Sequence, residues 1–126
     1  MTRMLLRLYL QGRRPLGPGK IRLLATIHDE GAISAAARNM RMSYRSAWLL
    51  VDSMNGLFRQ PVVTTTHGGL GGGAATVTTF GRKLIARYDA MERAARQAIA
   101  RDLTWLERSV APPPSRRLSL PKTGTK

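Results

Sequence analysis

Residues 31–48 read GAISAAARNMRMSYRSAW, and the fold turns on them. Ser34 is placed to cap a short helix over Ala35–Met40, because a serine oxygen can accept from the free N–H groups of a helix start. The small side chains of Ala35, Ala36 and Ala37 let a second helix cross this one closely. A tight turn around Arg41–Met42 follows. Ser43 is then positioned to cap a longer helix running to about Phe58. That helix should bury Ala47, Leu50, Val51, Met54 and Phe58, which recur at helical spacing on one stripe.

Upstream, residues 3–10 alternate as a strand would, with Met4, Leu6, Leu8 and Leu10 on one side and Arg3, Leu5, Arg7 and Tyr9 on the other. Pro15 and Pro18 break the chain between Gly12 and Gly19 into a loop, and Pro18 suits the first position of a helix. Ile21, Leu24, Ile27 and His28 then form an apolar side, with Gly31 placed to end the helix. Downstream, Pro61 blocks continuation. Val62–Thr66 and Ala75–Thr78 read as strands joined by the glycine run 68–73, a hairpin with a flexible tip. A last helix starts at Thr78 or Thr79 and runs to about Val110, roughly 30 residues or ~45 Å at 1.5 Å per residue. Its stripe, Leu84, Tyr88, Met91, Ala95, Ile99, Leu103 and Leu106, is longer than so small a domain covers.

The chain has 126 residues, 43% of them hydrophobic, enough for one domain with a modest core. Its 21 Lys and Arg against 7 Asp and Glu give a net charge of +14, and the sequence pI is near 11.8. Such an excess attracts a polyanion. Residues 112–126 supply +4 of it, so +10 belongs to residues 1–111. Cysteine is absent, which excludes disulfides and cysteine-ligated zinc and fits a reducing cytosol. The arginines inside MTRMLLRLYLQ interrupt the apolar core that a signal peptide needs. No stretch reaches the ~18 apolar residues of a membrane span. A cytoplasmic bacterial protein is expected, with a domain over 1–110 (the last helix about 79–110) and a disordered basic tail over 111–126.

Strand, helix, short helix, turn, longer helix, two-stranded hairpin: this order describes a winged helix-turn-helix, mainly α with a small β-sheet. The run 31–37, the run Met42-Ser43-Tyr44-Arg45-Ser46-Ala47-Trp48, the glycine wing 68–74 and Leu84-Ile85 with Tyr88-Asp89 resemble the DNA-binding domain of ModE-type molybdate-responsive transcription regulators. The resemblance spans about residues 3–108, and the reading unit is more distantly similar to that of LysR-type regulators. It implies a homodimer held by the long C-terminal helix, with the winged domains on double-stranded DNA. Full-length members continue into molybdate-binding β-barrel domains where this sequence has a basic tail, so molybdate binding is not expected. Leu70 also stands where the family's wing often has a lysine.

The DNA-facing candidates are Ser34, Arg38, Ser43, Tyr44, Arg45, Trp48, His67 and Gly69. Arg45, near the start of the third helix, suits a bidentate bond to guanine or a phosphate contact. Arg38 suits a phosphate contact. Ser43 also has a bland role, as a cap, and Trp48 has another, packing on the first helix. His67 at the wing entrance is open to a phosphate, the minor groove or no contact at all. Met91, Ala95, Ile99, Leu103 and Leu106 are the dimerisation candidates. Two histidines 39 positions apart, without cysteine, make no metal site, and the glycine run lacks the Gly-Lys-Ser/Thr of a phosphate-cradling loop. Catalysis, a metal and a cofactor are not expected, because the seven acids are scattered and no nucleophile–base pair emerges. The competing functions are a low-specificity architectural DNA-binding protein and a protein-interaction module.

Overall fold

The computed structural model describes residues 2–66 and 73–114. Helices α1 (Pro18–Glu30), α2 (Ile33–Asn39) and α3 (Tyr44–Leu57) are followed by strands β1 (Val63–Thr65) and β2 (Ala75–Val77). Helices α4 (Thr79–Ala98) and α5 (Ala100–Ser109) complete the order. This arrangement, mostly helical with one small antiparallel sheet, is a winged helix-turn-helix.

Helix α1 starts at Pro18, whose missing N–H is no loss at a helix start. It ends at Gly31 (φ 78°), where the left-handed backbone suits glycine. The Gly31 N–H closes the helix on the Ile27 carbonyl at 2.8 Å, and the Gly31 carbonyl accepts from Ala75 N–H at 2.9 Å. One residue therefore ends α1 and ties β2 to the bend. Leu23, Leu24 and Ile27 from α1, Ala36 and Ala37 from α2, and Ala47, Val51 and Met54 from α3 meet in the core. The alanines give the close helix crossing that the sequence implied.

Five sequence-based expectations change, the fifth of them in the last helix. Residues 3–10 do alternate in exposure, but they form no ladder beyond a single bridge between Leu8 and Leu16. Pro15, beside that bridge, has no N–H to extend it. Helix α2 begins at Ile33 with Ala32 at the cap and no side-chain cap bond, so Ser34 lies inside the first turn. The Gly31 bend leaves only Ala32 between the helices, and α2 must start early. His28 is exposed, because Leu23, Leu24 and Ile27 fill the core face of α1. Leu50 and Phe58 are half-buried, with Phe58 edge-on to Phe80 at 5.4 Å between ring centroids.

The last helix is two helices. Ile99 (φ −100°, ψ 7°) interrupts it, although its N–H still reaches the Ala95 carbonyl at 3.2 Å. Neither proline nor glycine causes the break. Of the proposed tail, residues 111–114 are exposed without regular structure, and 115–126 lie outside the described residues.

Candidate nucleic-acid interface

The turn between α2 and α3 sets the geometry of the site. Arg41 N–H donates to the Arg38 carbonyl at 3.1 Å, and Met42 N–H to the Ala37 carbonyl at 3.0 Å. This paired closure puts the residue after the cap in the left-handed region, where glycine is usual. Here that residue is Arg41, with φ 56°. Two residues on, Ser43 caps α3 as expected: its Oγ accepts from Ser46 N–H at 3.0 Å and donates to Ser46 Oγ at 2.9 Å. The cap fixes where the first turn of α3 begins, and so where Tyr44 and Arg45 project.

Burying Ala47, Val51 and Met54 leaves the opposite face of α3 to solvent. Arg45 is exposed there, with Tyr44 (55% exposed) and Trp48 (45%) on one adjoining stripe. Trp48 is thus not packed away on α1. Arg38 is exposed on the last turn of α2, and Ser34 is half-buried at its start. The structure therefore presents Arg38, Ser43, Tyr44, Arg45 and Trp48 on one helix–turn–helix unit. Among the described residues the ion pairs are Arg93 with Asp89 and Arg96 with Glu92, both within α4. Arg38, Arg41 and Arg45 take part in neither. His67 and Gly69 lie outside the described residues.

The wing is held to α3 by a residue that sequence reasoning missed. Asn55 Oδ1 accepts from Val62 N–H at 2.7 Å and from Val63 N–H at 3.3 Å, while its Nδ2 donates to the Val63 carbonyl at 3.1 Å. Strands β1 and β2 then pair antiparallel, Val63 with Val77 and Thr65 with Ala75. Helix α4 is fastened to the same point. Thr78 Oγ1 accepts from Gly81 N–H at 2.9 Å and donates to the Pro61 carbonyl at 2.7 Å. A Cβ on Gly81 would collide with the Val62 carbonyl oxygen, so only glycine permits this approach. An asparagine inside a helix carries no signal in the sequence, because its partners sit beyond Pro61. Arg41 was equally hidden, since the expected residue at such a turn is glycine.

On the far side, Leu84 and Tyr88 of α4 are buried, and the Tyr88 hydroxyl donates to the Leu6 carbonyl. Burial pushes the Tyr88 hydroxyl above its ordinary pKa; Glu92 adds to the rise and Arg7 opposes it. Burial, with Arg14 nearby, lowers Lys20. Beyond Tyr88 the stripe is uncovered: Met91, Ile99 and Leu106 are exposed, and Ala95 and Leu103 half-buried. Beside it an apolar groove of about 630 Å³ opens between the N-terminal segment, α1 and α4, lined by Met4, Leu6, Ile21, Ala25, Ile85 and Tyr88. No group of three or more histidine, cysteine or carboxylate side chains that could hold a metal occurs among the described residues. No helix among them is long and apolar enough to cross a membrane.

No family model matches the sequence. The chain is 44% identical over 95 residues to the molybdenum-pterin-binding protein MopB of Rhodobacter capsulatus, covering 75% of this chain and 34% of that protein. It is 37% identical over 92 residues to the transcriptional regulator ModE of Haemophilus influenzae, covering 73% and 36%. To the DNA-binding transcriptional dual regulator ModE of Escherichia coli it is 38% identical over 94 residues, covering 75% and 36%. The chain thus spans about a third of the length of these relatives. The ModE proteins of Haemophilus influenzae and Escherichia coli carry the names of regulators, not of enzymes.

Proposed function

The chain is a homologue of the N-terminal DNA-binding region of the ModE-type molybdate-responsive regulators, and from that premise we propose that it regulates transcription in the cytoplasm as a homodimer on a two-fold symmetric DNA site. The carrying observation is the exposed Arg45 in the first turn of α3, two residues after the cap Ser43 and in no ion pair among the described residues, with Arg38 and Arg41 just before it on the same helix–turn–helix unit. A capped helix start carrying cations is suited to enter the major groove, with α2 across the backbone. Arg45 reads guanine through a bidentate bond, and Tyr44 and Trp48 border it. Ser34, Ser43, Arg38 and the wing residues His67 and Gly69 meet sugar and phosphate. The net charge of +14 supplies general affinity.

The dimer forms through Met91, Ala95, Ile99, Leu103 and Leu106. An antiparallel pairing centred on Ala95 sets Met91 opposite Ile99. It also brings Leu103 and Leu106 level with Leu84 and Tyr88, beside the open groove. Two half-sites related by the same axis follow from that symmetry. Because no convergent oxyanion site is recognised in this sequence, molybdate is expected to leave its duplex affinity unchanged.

Selection of duplexes from a random pool, followed by fluorescence anisotropy at several salt concentrations, tests the reading. A palindromic preferred site is expected. Arg45→Ala should lose roughly fivefold or more of the preference for that site over a scrambled duplex. Arg38→Ala should weaken both duplexes alike and lower the salt slope by close to one. Affinity without preference would favour an architectural protein. Failure to bind any duplex at moderate salt would favour a protein-interaction module.

A further inference from the structure

The outermost stripe of α3 consists of Arg45, Leu49 and Asp52, spaced four and three residues apart and all exposed, directly opposite the buried Ala47, Val51 and Met54. Leu49 is 48% exposed at the centre of that stripe. Its position on the helix faces away from the core, opposite Ala47, Val51 and Met54. Toward the start of α3 the same unit carries Arg38, Arg41 and Arg45, all exposed and none in an ion pair among the described residues, while Asp52 lies one turn beyond Leu49. A surface that sets an exposed aliphatic side chain one turn beyond three cations fits a polyanion that also offers one apolar group. Double-stranded DNA is such a partner. Its major groove presents hydrogen-bonding edges at every base pair, and its apolar group is the C5 methyl of thymine.

We propose that Leu49 is a specificity-determining residue that reads a thymine methyl in the major groove, next to the guanine read by Arg45. This rests on the DNA-binding reading above and deepens it. Four residues along a helix advance ~6 Å at 1.5 Å each. Successive bases on a strand are ~3.4 Å apart, so the thymine lies about two base pairs from the guanine. The contact excludes water from one methyl group and involves no charge. It therefore discriminates between bases without contributing to the salt dependence, unlike the arginines around it.

The experiment replaces thymine by deoxyuridine, which removes the methyl and leaves every hydrogen-bonding group in place. In the selected duplex, each thymine one to three base pairs from the guanine is exchanged singly, and affinity is measured by anisotropy at 50 and 200 mM salt. For the wild-type chain one exchange should weaken binding about fourfold, the loss expected from one buried methyl. The ratio should be the same at both salt concentrations. Leu49→Ala, checked for wild-type helicity by circular dichroism, should bind the thymine and deoxyuridine duplexes equally. Leu49→Met should keep part of the discrimination, and Arg45→Ala should keep all of it. The proposal is overturned if no exchange weakens wild-type binding, or if Leu49→Ala discriminates as the wild type does. A random pool that yields no preferred duplex refutes sequence-specific binding itself, which is a separate result.

Discussion

Replacing Asn55 by alanine removes three hydrogen bonds at once, and they join α3 to Val62 and Val63, where the wing begins. The groups left behind are the N–H of Val62, the N–H of Val63 and the carbonyl of Val63. Val62 is 0% exposed and Val63 3%, so water cannot readily take the place of the amide. A net hydrogen bond contributes about 1 kcal/mol, whereas a buried group left unsatisfied costs about 1–3 kcal/mol. Three such losses, partly relieved by a shift of the hairpin, amount to about 2–4 kcal/mol. At ~5 °C per kcal/mol for a domain of this size, the thermal midpoint should fall by roughly 10–20 °C. Asn55→Asp keeps the oxygen that accepts from both N–H groups but loses the donor to the Val63 carbonyl, so it should fall between wild type and alanine. The assay is thermal unfolding followed by circular dichroism, with amide exchange at Val62, Val63 and Thr64 as the local readout. Exchange should accelerate in β1 before it does in α1. An Asn55→Ala midpoint within about 2 °C of wild type, with β1 protection unchanged, would show that the wing is held by its apolar contacts alone.

Arg41→Gly relieves a left-handed backbone that costs a non-glycine residue about 1 kcal/mol, so the variant should melt a few degrees higher while binding every duplex more weakly. Ala95→Cys introduces a single thiol into a cysteine-free chain; under mild oxidation it should give a disulfide-linked dimer, whereas Arg22→Cys on α1 should not, and an uncross-linked Ala95→Cys would count against the antiparallel pairing. Tyr88→Phe loses the bond to the Leu6 carbonyl and should cost about 1 kcal/mol at neutral pH in denaturant titration. Because the folded Tyr88 pKa is raised, its contribution is whole below the unfolded value near 10 and is lost as pH rises through the folded value. The gap between wild type and Tyr88→Phe should therefore narrow in strong alkali.

What the sequence disclosed about this fold was whatever is decided within a few residues. The end of α1 at Gly31 and the start of α3 at Ser43 were legible, because a left-handed cap and a serine acceptor act on their own neighbours. Ser34 has the same chemistry as Ser43 and yet caps nothing. Its fate was settled at a distance, by the bond from Ala75 that fixes the Gly31 bend and starts α2 early. The strand expected over 3–10 failed for a related reason. Alternation specifies which side chains face inward, and the exposure of Met4 to Leu10 follows it; a ladder also needs a partner, which Leu16 provides at one position only.

The same division runs through the candidate site. Arg45 and Tyr44 could be placed by counting from the cap, and the wing by its β-branched residues between turn signals. Counting also located the buried stripe of α3, but a stripe argument assigns meaning only to what is buried, so it passed over Leu49 on the opposite face. Asn55 escaped because a polar residue within a helix reads as solvated surface until the chain beyond Pro61 returns to it. Arg41 escaped because it departs from the residue its backbone favours. Each of the three lies on α3 or the turn that launches it, and each is unexplained by the local needs of a helix. For Asn55 the partner is the wing. Arg41 makes no ion pair among the described residues and Leu49 is exposed, and for these two the DNA-binding reading proposed above supplies the partner.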